Sequence, residues 1–344
     1  MVYFDPNDIA NKNNNIFGLP FNENNAQIIL IPVPWDVTTS YRAGSAKAPE
    51  AIFDASFQVD LFDAFKKNTW QTGIAMIDIP NVIKEKNETL KYYSREIISR
   101  LSEGITISQS EDLQKFLAIV NTGCSELNLW VKDQSEKLIK KTKLTGIIGG
   151  EHSVSFGFLQ ALSEKYNGFG ILQIDAHADL RDAYEGFEFS HASIMNNALK
   201  IPQVKKLVQI GIRDYCEYEF EVIRKSRERI KTYFDRDIKN ALFEGKTWKN
   251  ICDDIIRELP ENIYVSFDID GLDPKLCPNT GTPVPGGFEL SEVYYLLENI
   301  VTSGKKIIGF DLCEVAPGND EWDANVGSRV LYRLANIMAK SNDT

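Results

Sequence analysis

The sequence predicts an α/β domain built on one wide, mostly parallel sheet of eight strands. Short apolar, β-rich runs alternate with helical patterns over almost the whole chain, and each run ends at or close to a glycine, a proline or an acidic residue. No internal repeat or Gly/Ser linker divides the 344 residues. Strands that are apolar throughout, rather than alternating, belong to a parallel sheet covered by helices on both faces.

Residues 1–26, including the Asn-rich stretch Asn11 to Asn15, are expected to form a flexible N-terminal arm, and residues 27–344 a single catalytic domain. Ile28 to Val33 is the first strand and Gly73 to Ile77 the second, stopping before Asp78. A long helical stretch follows, in which Leu113, Phe116, Leu117, Val120, Cys124, Leu127 and Val131 recur at three- and four-residue steps. That apolar stripe faces a core, and a break is expected near Gly123. The third strand, Gly146 to Ile148, runs into Gly149-Gly-Glu-His-Ser153, and the fourth, Gly170 to Ile174, into Asp175. Leu207 to Ile210 and Ile230 to Tyr233 are the fifth and sixth. Ile263 to Phe267 runs into Asp268, and Ile307 to Phe310 into Asp311.

The net charge of -11 disfavours a broad nucleic-acid surface or attraction to anionic lipid, so no nucleic-acid or membrane partner is expected. Met1 to Asn15 has no basic segment followed by an apolar one, and the chain is read as cytoplasmic. Five scattered cysteines (Cys124, Cys216, Cys252, Cys277, Cys313) form no C-x-x-C pair, which argues for reduced thiols rather than disulfides or a thiolate zinc site. Cys313, beside Glu314, has no adjacent histidine to activate it.

The only three histidines fall within a 40-residue stretch of carboxylate clusters: His152 after the third strand, His177 in Asp-Ala-His-Ala-Asp, and His191 in Ser-His-Ala-Ser. In an open parallel sheet, residues that follow strands emerge at one carboxyl edge, where ligands bind. Asp175, His177 and Asp179 are spaced two apart, and Asp268 and Asp270 repeat that spacing. With His152 they offer two nitrogen and four oxygen donors, a set suited to two divalent ions bridged by carboxylate. Solvated loop acids or helix caps are the alternative, with Ser153 a possible cap. That many acids at one edge without cations would repel strongly. A metal pair activates water for attack on an electrophilic carbon. His191 is then a candidate proton shuttle to a leaving amine, and Glu314 a candidate acceptor for a cationic head.

Gly149-Gly-Glu-His-Ser153, Asp175-Ala-His-Ala-Asp-Leu-Arg181, Ser190-His191, Ser266-Phe-Asp-Ile-Asp-Gly-Leu-Asp-Pro274 and Gly309-Phe-Asp-Leu-Cys-Glu314 resemble, in order, the signature segments of the ureohydrolases, the arginase and agmatinase family. Thr39-Ser-Tyr-Arg-Ala-Gly44, Gln209-Ile-Gly-Ile-Arg213 and Gly281-Thr-Pro-Val-Pro-Gly-Gly287 extend the likeness. The resemblance implies a three-layer α/β/α fold, a pair of manganese ions (or other divalent ions), a small guanidino substrate, and a homo-oligomer. It implies one ion on His152, Asp175, Asp179 and Asp268, and the other on Asp175, His177, Asp268 and Asp270. Asp179 would also handle a proton, His191 would relay one to the amine, and Glu314 would hold the guanidinium. Two departures stand out: Glu151 where Asp is usual, and Ala192 after His191 where many members have glycine.

The loop Leu180 to Ser190 is expected to line the crevice mouth and set specificity. Asp182, Glu185 and Glu188 favour a substrate ending in a free amine, and the segment resembles agmatinase-type members, which split agmatine into putrescine and urea. Arg181 opposes this. It either clamps a carboxylate, as guanidinobutyrate, arginine or formiminoglutamate would need, or pairs with a loop acid such as Asp182 or Glu185. A dinuclear phosphoesterase would use the same metal logic but calls for basic residues near the ligands, and these loops are acidic apart from Arg181 and Arg213. A scaffold that had lost catalysis would have lost ligands, and all six positions are filled. Nucleotide binding rests only on Gly149-Gly150 and the glycines at 281–287, neither of which forms a phosphate-binding loop.

Overall fold

In the computed structural model, which describes residues 4–343, the eight strands are β1 (Ile28–Val33), β2 (Ile74–Met76), β3 (Leu144–Gly149), β4 (Phe169–Ile174), β5 (Val204–Ile212), β6 (Ile230–Phe234), β7 (Asn262–Asp268) and β8 (Lys306–Cys313). They form one sheet in the order β2-β1-β3-β8-β7-β4-β5-β6, and every pairing is parallel.

Side chains alternate across this sheet into two cores. Ile28 and Leu30 of β1, with Ile263, Val265 and Phe267 of β7, point to the face covered by α1 (Ala48–Ser56), α7 (Asp235–Phe243), α8 (Trp248–Glu258), α9 (Leu290–Thr302) and α10 (Trp322–Ser341). Ile29, Ile31 and Tyr264 point to the other face, covered by α2 (Asn81–Ser102), α3 (Glu111–Lys140), α4 (Phe156–Lys165) and α5 (Ile194–Leu199). A tenth helix, α6 (Glu217–Lys225), follows β5. The period of two is the strand repeat, and burial on both sides explains why the strands read as unbroken apolar runs.

Two sequence expectations need correction. Of the arm expected over residues 1–26, residues 1–3 lie outside the described residues, but Ile16, Phe17 and Leu19 are buried in the α1/α10 core. Asn15 also bonds to both the N–H and the carbonyl of Met76 on the edge strand β2. Three large apolar side chains gain more from burial than a free arm gains in entropy. The break expected near Gly123 is absent: α3 runs without interruption, and the glycine lets Leu90 of α2 come against the helix where a Cβ would collide. Its role is close packing of α2 on α3.

A similar constraint acts at the end of β3. A Cβ on Gly150 would strike the backbone carbonyl of Trp35, while Gly150 itself bonds to Val33 through its N–H and to the Glu314 N–H through its carbonyl. Gly150→Ala is therefore expected to lower stability by about 1–3 kcal/mol through overpacking. A denaturant midpoint equal to that of the wild type would refute this.

The chain lays down β1, β2 and β3, jumps to β4, β5 and β6, and then returns to insert β7 and β8 between β3 and β4. The four central strands β3, β8, β7 and β4 are thus neighbours, and the carboxyl ends of all four open on one crevice.

Candidate active site

Each central strand delivers its polar residues immediately past its last ladder position. His152 follows β3 in a 3-10 turn, His152–Ser155, that leads into α4. Asp175, His177 and Asp179 leave β4, Asp268 ends β7 with Asp270 in the 3-10 turn after it, and Glu314 follows β8. The geometry falls into two donor groups, His152–Asp175–Asp179 and Asp175–His177–Asp270, within each of which the ligand atoms lie within 4.8 Å of one another. Asp175 belongs to both.

The orientation of His152 can be derived. Ser266 Oγ donates its single proton to Asp311 Oδ2 (2.9 Å), so the 2.8 Å contact between Ser266 Oγ and His152 Nε2 requires the imidazole to donate there. With a cation beside it the ring is neutral and Nδ1 carries a lone pair; without one, burial lowers His152 but hydrogen bonds and charge from Asp175, Asp179 and Asp311 lift it well above its ordinary value and keep a proton on Nδ1. Nδ1 points at Asp179 Oδ2 (3.0 Å), Asp175 Oδ2 (3.1 Å) and Asp268 Oδ2 (3.5 Å). A lone pair facing three carboxylate oxygens inside a protein is repulsive unless a cation sits between them. His177 Nδ1 is likewise 3.0 Å from Asp270 Oδ2 and 3.6 Å from Asp175 Oδ1. Imidazole nitrogens and hard carboxylate oxygens are the donors that first-row divalent ions take, so these residues fit a metal pair.

The electrostatics agree. Burial, reinforced by Asp175, pushes Asp179 up to about 7. Burial with Asp270 and Asp175 lifts Asp268 well above the carboxylate range, and burial with Glu151 does the same to Glu314. Asp175 is the exception. Burial raises it, yet hydrogen bonds and charge from His152 and His177 hold it below its ordinary value. A divalent ion held by Asp179 and Asp268 would favour the charged form of both. His191 lines the same cavity, and burial, with His177 and His152 nearby, pushes it down to about 4.

The inner cavity holds about 20 Å³ and is lined by His152, His177, Asp179, His191, Asp268, Asp270 and Glu314, together with Thr39, Ser40, Gly281 and Thr282. Seven of the eight predicted site residues thus border it, and the eighth, Asp175, lies 3.1 Å from His152 Nδ1. Glu314 accepts from the His152 N–H through Oε1 (2.9 Å). Asp179 and Glu314 both have positive φ (55° and 62°), a conformation costly for a glutamate and held here by Gly150 and Thr280, which bond its backbone on either side.

The family model for the arginase family matches residues 26–336. The chain belongs to the arginase family. It is 27% identical over 318 residues to an N(1)-aminopropylagmatine ureohydrolase of Thermus thermophilus, covering 92% of each chain. It is 32% identical over 243 residues to an agmatinase of Halalkalibacterium halodurans, covering 70% of this chain and 78% of the relative. The crystal structure of an agmatine ureohydrolase of Thermoplasma volcanium shares the fold, with a TM-score of 0.72 at 22% identity and coverage of 95% and 94%. The arginase family is binuclear-metal dependent, and this chain carries candidate ligands for the pair.

Among arginase-family signatures, Glu151 is this chain's visible departure, and it is not among the metal donors. Fully buried, it accepts from Thr38 N (2.8 Å), Thr38 Oγ1 (2.9 Å) and Ser153 Oγ (2.7 Å). Ser153 therefore caps no helix. Thr38 Oγ1 in turn accepts from the His191 N–H (3.2 Å), so Glu151 ties the loop after β1 to the segment carrying His191. Ala192, the second departure, lines the outer part of the crevice.

Supporting residues to which the motifs assigned no role form a polar row one step below the ligands. Thr232, Gln209, Gln173, Ser266 and Asp311 are in register across β6, β5, β4, β7 and β8. Ser266 and Asp311 aim His152. Thr232 Oγ1 donates to Gln209 (2.7 Å), Gln209 to Gln173 (2.7 Å), and Gln173 to Asp175 Oδ2 (2.8 Å). Hydrogen bonds of this kind fix a ligand's orientation and basicity. The signal was present in the sequence as polar residues within or just after otherwise apolar runs, such as Gln173, Gln209, Ser266 and Asp311, but its meaning depended on strand order. Cys313, by contrast, is buried and its thiol is pushed well up by burial, so it is no nucleophile; all five cysteines are free.

Beyond the inner cavity lies a vestibule of about 150 Å³, bordered by Arg181, Tyr184, Ala192, Asp214, Tyr215 and Glu219. The loop acids expected to select an amine do not line it. Asp182 instead pairs with Lys200 and Asn196, and Glu185 occupies a two-residue turn between Tyr184 and Phe187. Arg181 also has another partner than the loop acids expected. Its guanidinium stacks on Tyr184 at 4.7 Å and lies 3.8 Å from Glu219 Oε2. No helix among the described residues is long and apolar enough to cross a membrane.

Proposed function

We propose that this chain is a manganese-dependent ureohydrolase that splits the guanidino group of a small linear substrate into urea and an amine, with agmatine, yielding putrescine, as its leading substrate. The carrying observation is the shared Asp175 between two donor groups, with the buried His152 Nδ1 turned toward three carboxylates. In this reading His152, Asp175, Asp179 and Asp268 hold one ion, and Asp175, His177, Asp268 and Asp270 the other. A bound divalent pair supplies activation of water at neutral pH.

The chain's own groups do the rest. Glu314, with Oε1 engaged by His152, keeps its second oxygen for the cationic guanidinium, whose charge favours the ionised carboxylate. Asp179 takes the proton released at the nucleophile. His191, neutral near pH 7, can relay a proton to the departing amine by giving one from one ring nitrogen while taking one up from solvent at the other, which leaves it neutral. The inner cavity has no lysine or arginine in its lining, which disfavours phosphate as the substrate group.

Relatives named for agmatine and its aminopropyl derivative support an amine-ended substrate, as does the exposed Asp214 at the vestibule. One observation favours a second reading. The Arg181 side chain makes no hydrogen bond among the described residues, and both Glu219 oxygens already accept backbone N–H groups from Leu180 and Cys216. Its fork is therefore available to a substrate carboxylate, as in a guanidino acid. Urea release in manganese with agmatine, 4-guanidinobutyrate, arginine and guanidine tests both. Agmatine is expected to turn over best, and Arg181→Ala to leave the ratio of agmatine to arginine turnover within about threefold. Selective loss of the carboxylate-bearing substrates in Arg181→Ala would establish the second reading, and no urea from any of them would refute both.

A further inference from the structure

Between β1 and α1 the chain forms a loop whose two ends meet. Asp36 opens it and Gly44 closes it: Asp36 Oδ2 accepts the Gly44 N–H at 2.8 Å, so one buried carboxylate holds both ends of the intervening segment. The segment carries Thr38, anchored on Glu151, and Thr39 and Ser40, which line the inner cavity. Asp36 is itself held by α2. Lys91 Nζ lies 2.7 Å from Asp36 Oδ1, Asn87 Nδ2 donates to the same oxygen at 3.1 Å, and the Asp36 N–H donates to Asn87 Oδ1 at 2.8 Å. Lys91, Asn87 and Asp36 are each buried, with at most 8% of the residue exposed.

A buried lysine 2.7 Å from one buried carboxylate, with the exposed Glu88 further off at 3.9 Å, fixes the buried partner more firmly than a surface pair would. We infer that α2, through Lys91 and Asn87, sets the position of the loop Asp36–Gly44, making Lys91 a positioning residue for the guanidino end of the substrate. The long helical pair α2 and α3 thereby acquires a role at the active site that neither helix performs by touching it. The inference rests on the guanidino-hydrolase reading above. Because Thr39 and Ser40 are wall residues, alike in ground and transition states, a shift of the loop weakens binding without slowing the chemical step.

The test uses manganese-loaded full-length protein with agmatine and compares wild type, Lys91→Met, Lys91→Arg and the double variant Asp36→Asn with Lys91→Met, which leaves no unpaired buried charge. In Lys91→Met and in the double variant KM is expected to rise by about 10-fold with kcat within about threefold, at wild-type metal content. Lys91→Arg is expected to return KM to near the wild-type value. If Lys91→Met fails to fold, the double variant decides. An unchanged KM in the double variant, or equal losses in kcat and metal content, overturns the proposal. Should the wild type release no urea, the functional reading fails, and amide hydrogen exchange decides the positioning claim alone. Faster exchange confined to residues 37–44 in the double variant supports it, and unaltered exchange there overturns it.

Discussion

Asp175→Ala is expected to leave the protein without its metal pair and to reduce urea release to below roughly 10⁻⁴ of wild type. Asp175 belongs to both donor groups and, with Asp268, to both proposed ligand sets, so its loss lowers the affinity of two sites at once. No neighbour can replace it. His152 and His177 are already turned toward it, at 3.1 and 3.6 Å, and Asp268 is already engaged 3.5 Å from His152 Nδ1. The polar row beneath compounds the effect, because Gln173 loses its carboxylate acceptor and keeps the His177 carbonyl at 3.2 Å. Elemental analysis of the purified variant is the decisive measurement. Two ions per chain retained after gel filtration would show that Asp175 is not the shared ligand.

His191→Asn is expected to behave in the opposite way, keeping both ions while losing roughly 10²–10⁴ in kcat. His191 borders the inner cavity but belongs to neither donor group. Its ring meets Ser190 Oγ at 3.4 Å and the edge of Tyr184, and its N–H is tied through Thr38 to Glu151. An asparagine fits the space and keeps the backbone tie but cannot carry a proton at neutral pH. A drop in metal content in this variant would reassign His191 as a ligand. A kcat within about threefold of wild type would remove it from the proton path.

The two variants differ because side chains 16 residues apart in sequence occupy different positions on the same crevice. His152, Asp175 and Asp268 follow apolar strands, and that fact alone, with parallel pairing, sends them to one edge. The periodicity of the strands is a local property, dictated by the alternation of side chains along an extended backbone, and so it could be read without coordinates. Gly123 shows where such local reading stops. Glycine in a helical pattern is a breaker by propensity, but Leu90 of a different helix occupies the space it leaves, and tertiary packing overrides propensity. The same is true of Ile16 to Leu19, whose burial depends on the α1/α10 surface they meet. Arg181 is a third case: its acidic neighbour, Glu219, is brought to it by the placement of α6, whereas nearness in sequence pointed to Asp182 or Glu185.

The sequence alone therefore determined the eight strands, the carboxyl edge at which His152, Asp175, His177, Asp179, Asp268, Asp270 and Glu314 gather, and the class of ion that such donors take. Tertiary structure decided the strand order that makes β3, β8, β7 and β4 neighbours, the polar row that aims His152 and Asp175, and the anchoring of the Asp36–Gly44 loop by a helix more than 40 residues further along. The division has one physical cause. Backbone geometry repeats every two or 3.6 residues and writes itself into neighbouring positions, whereas a hydrogen bond such as Thr38 to Glu151 joins residues 113 positions apart and leaves no local pattern behind.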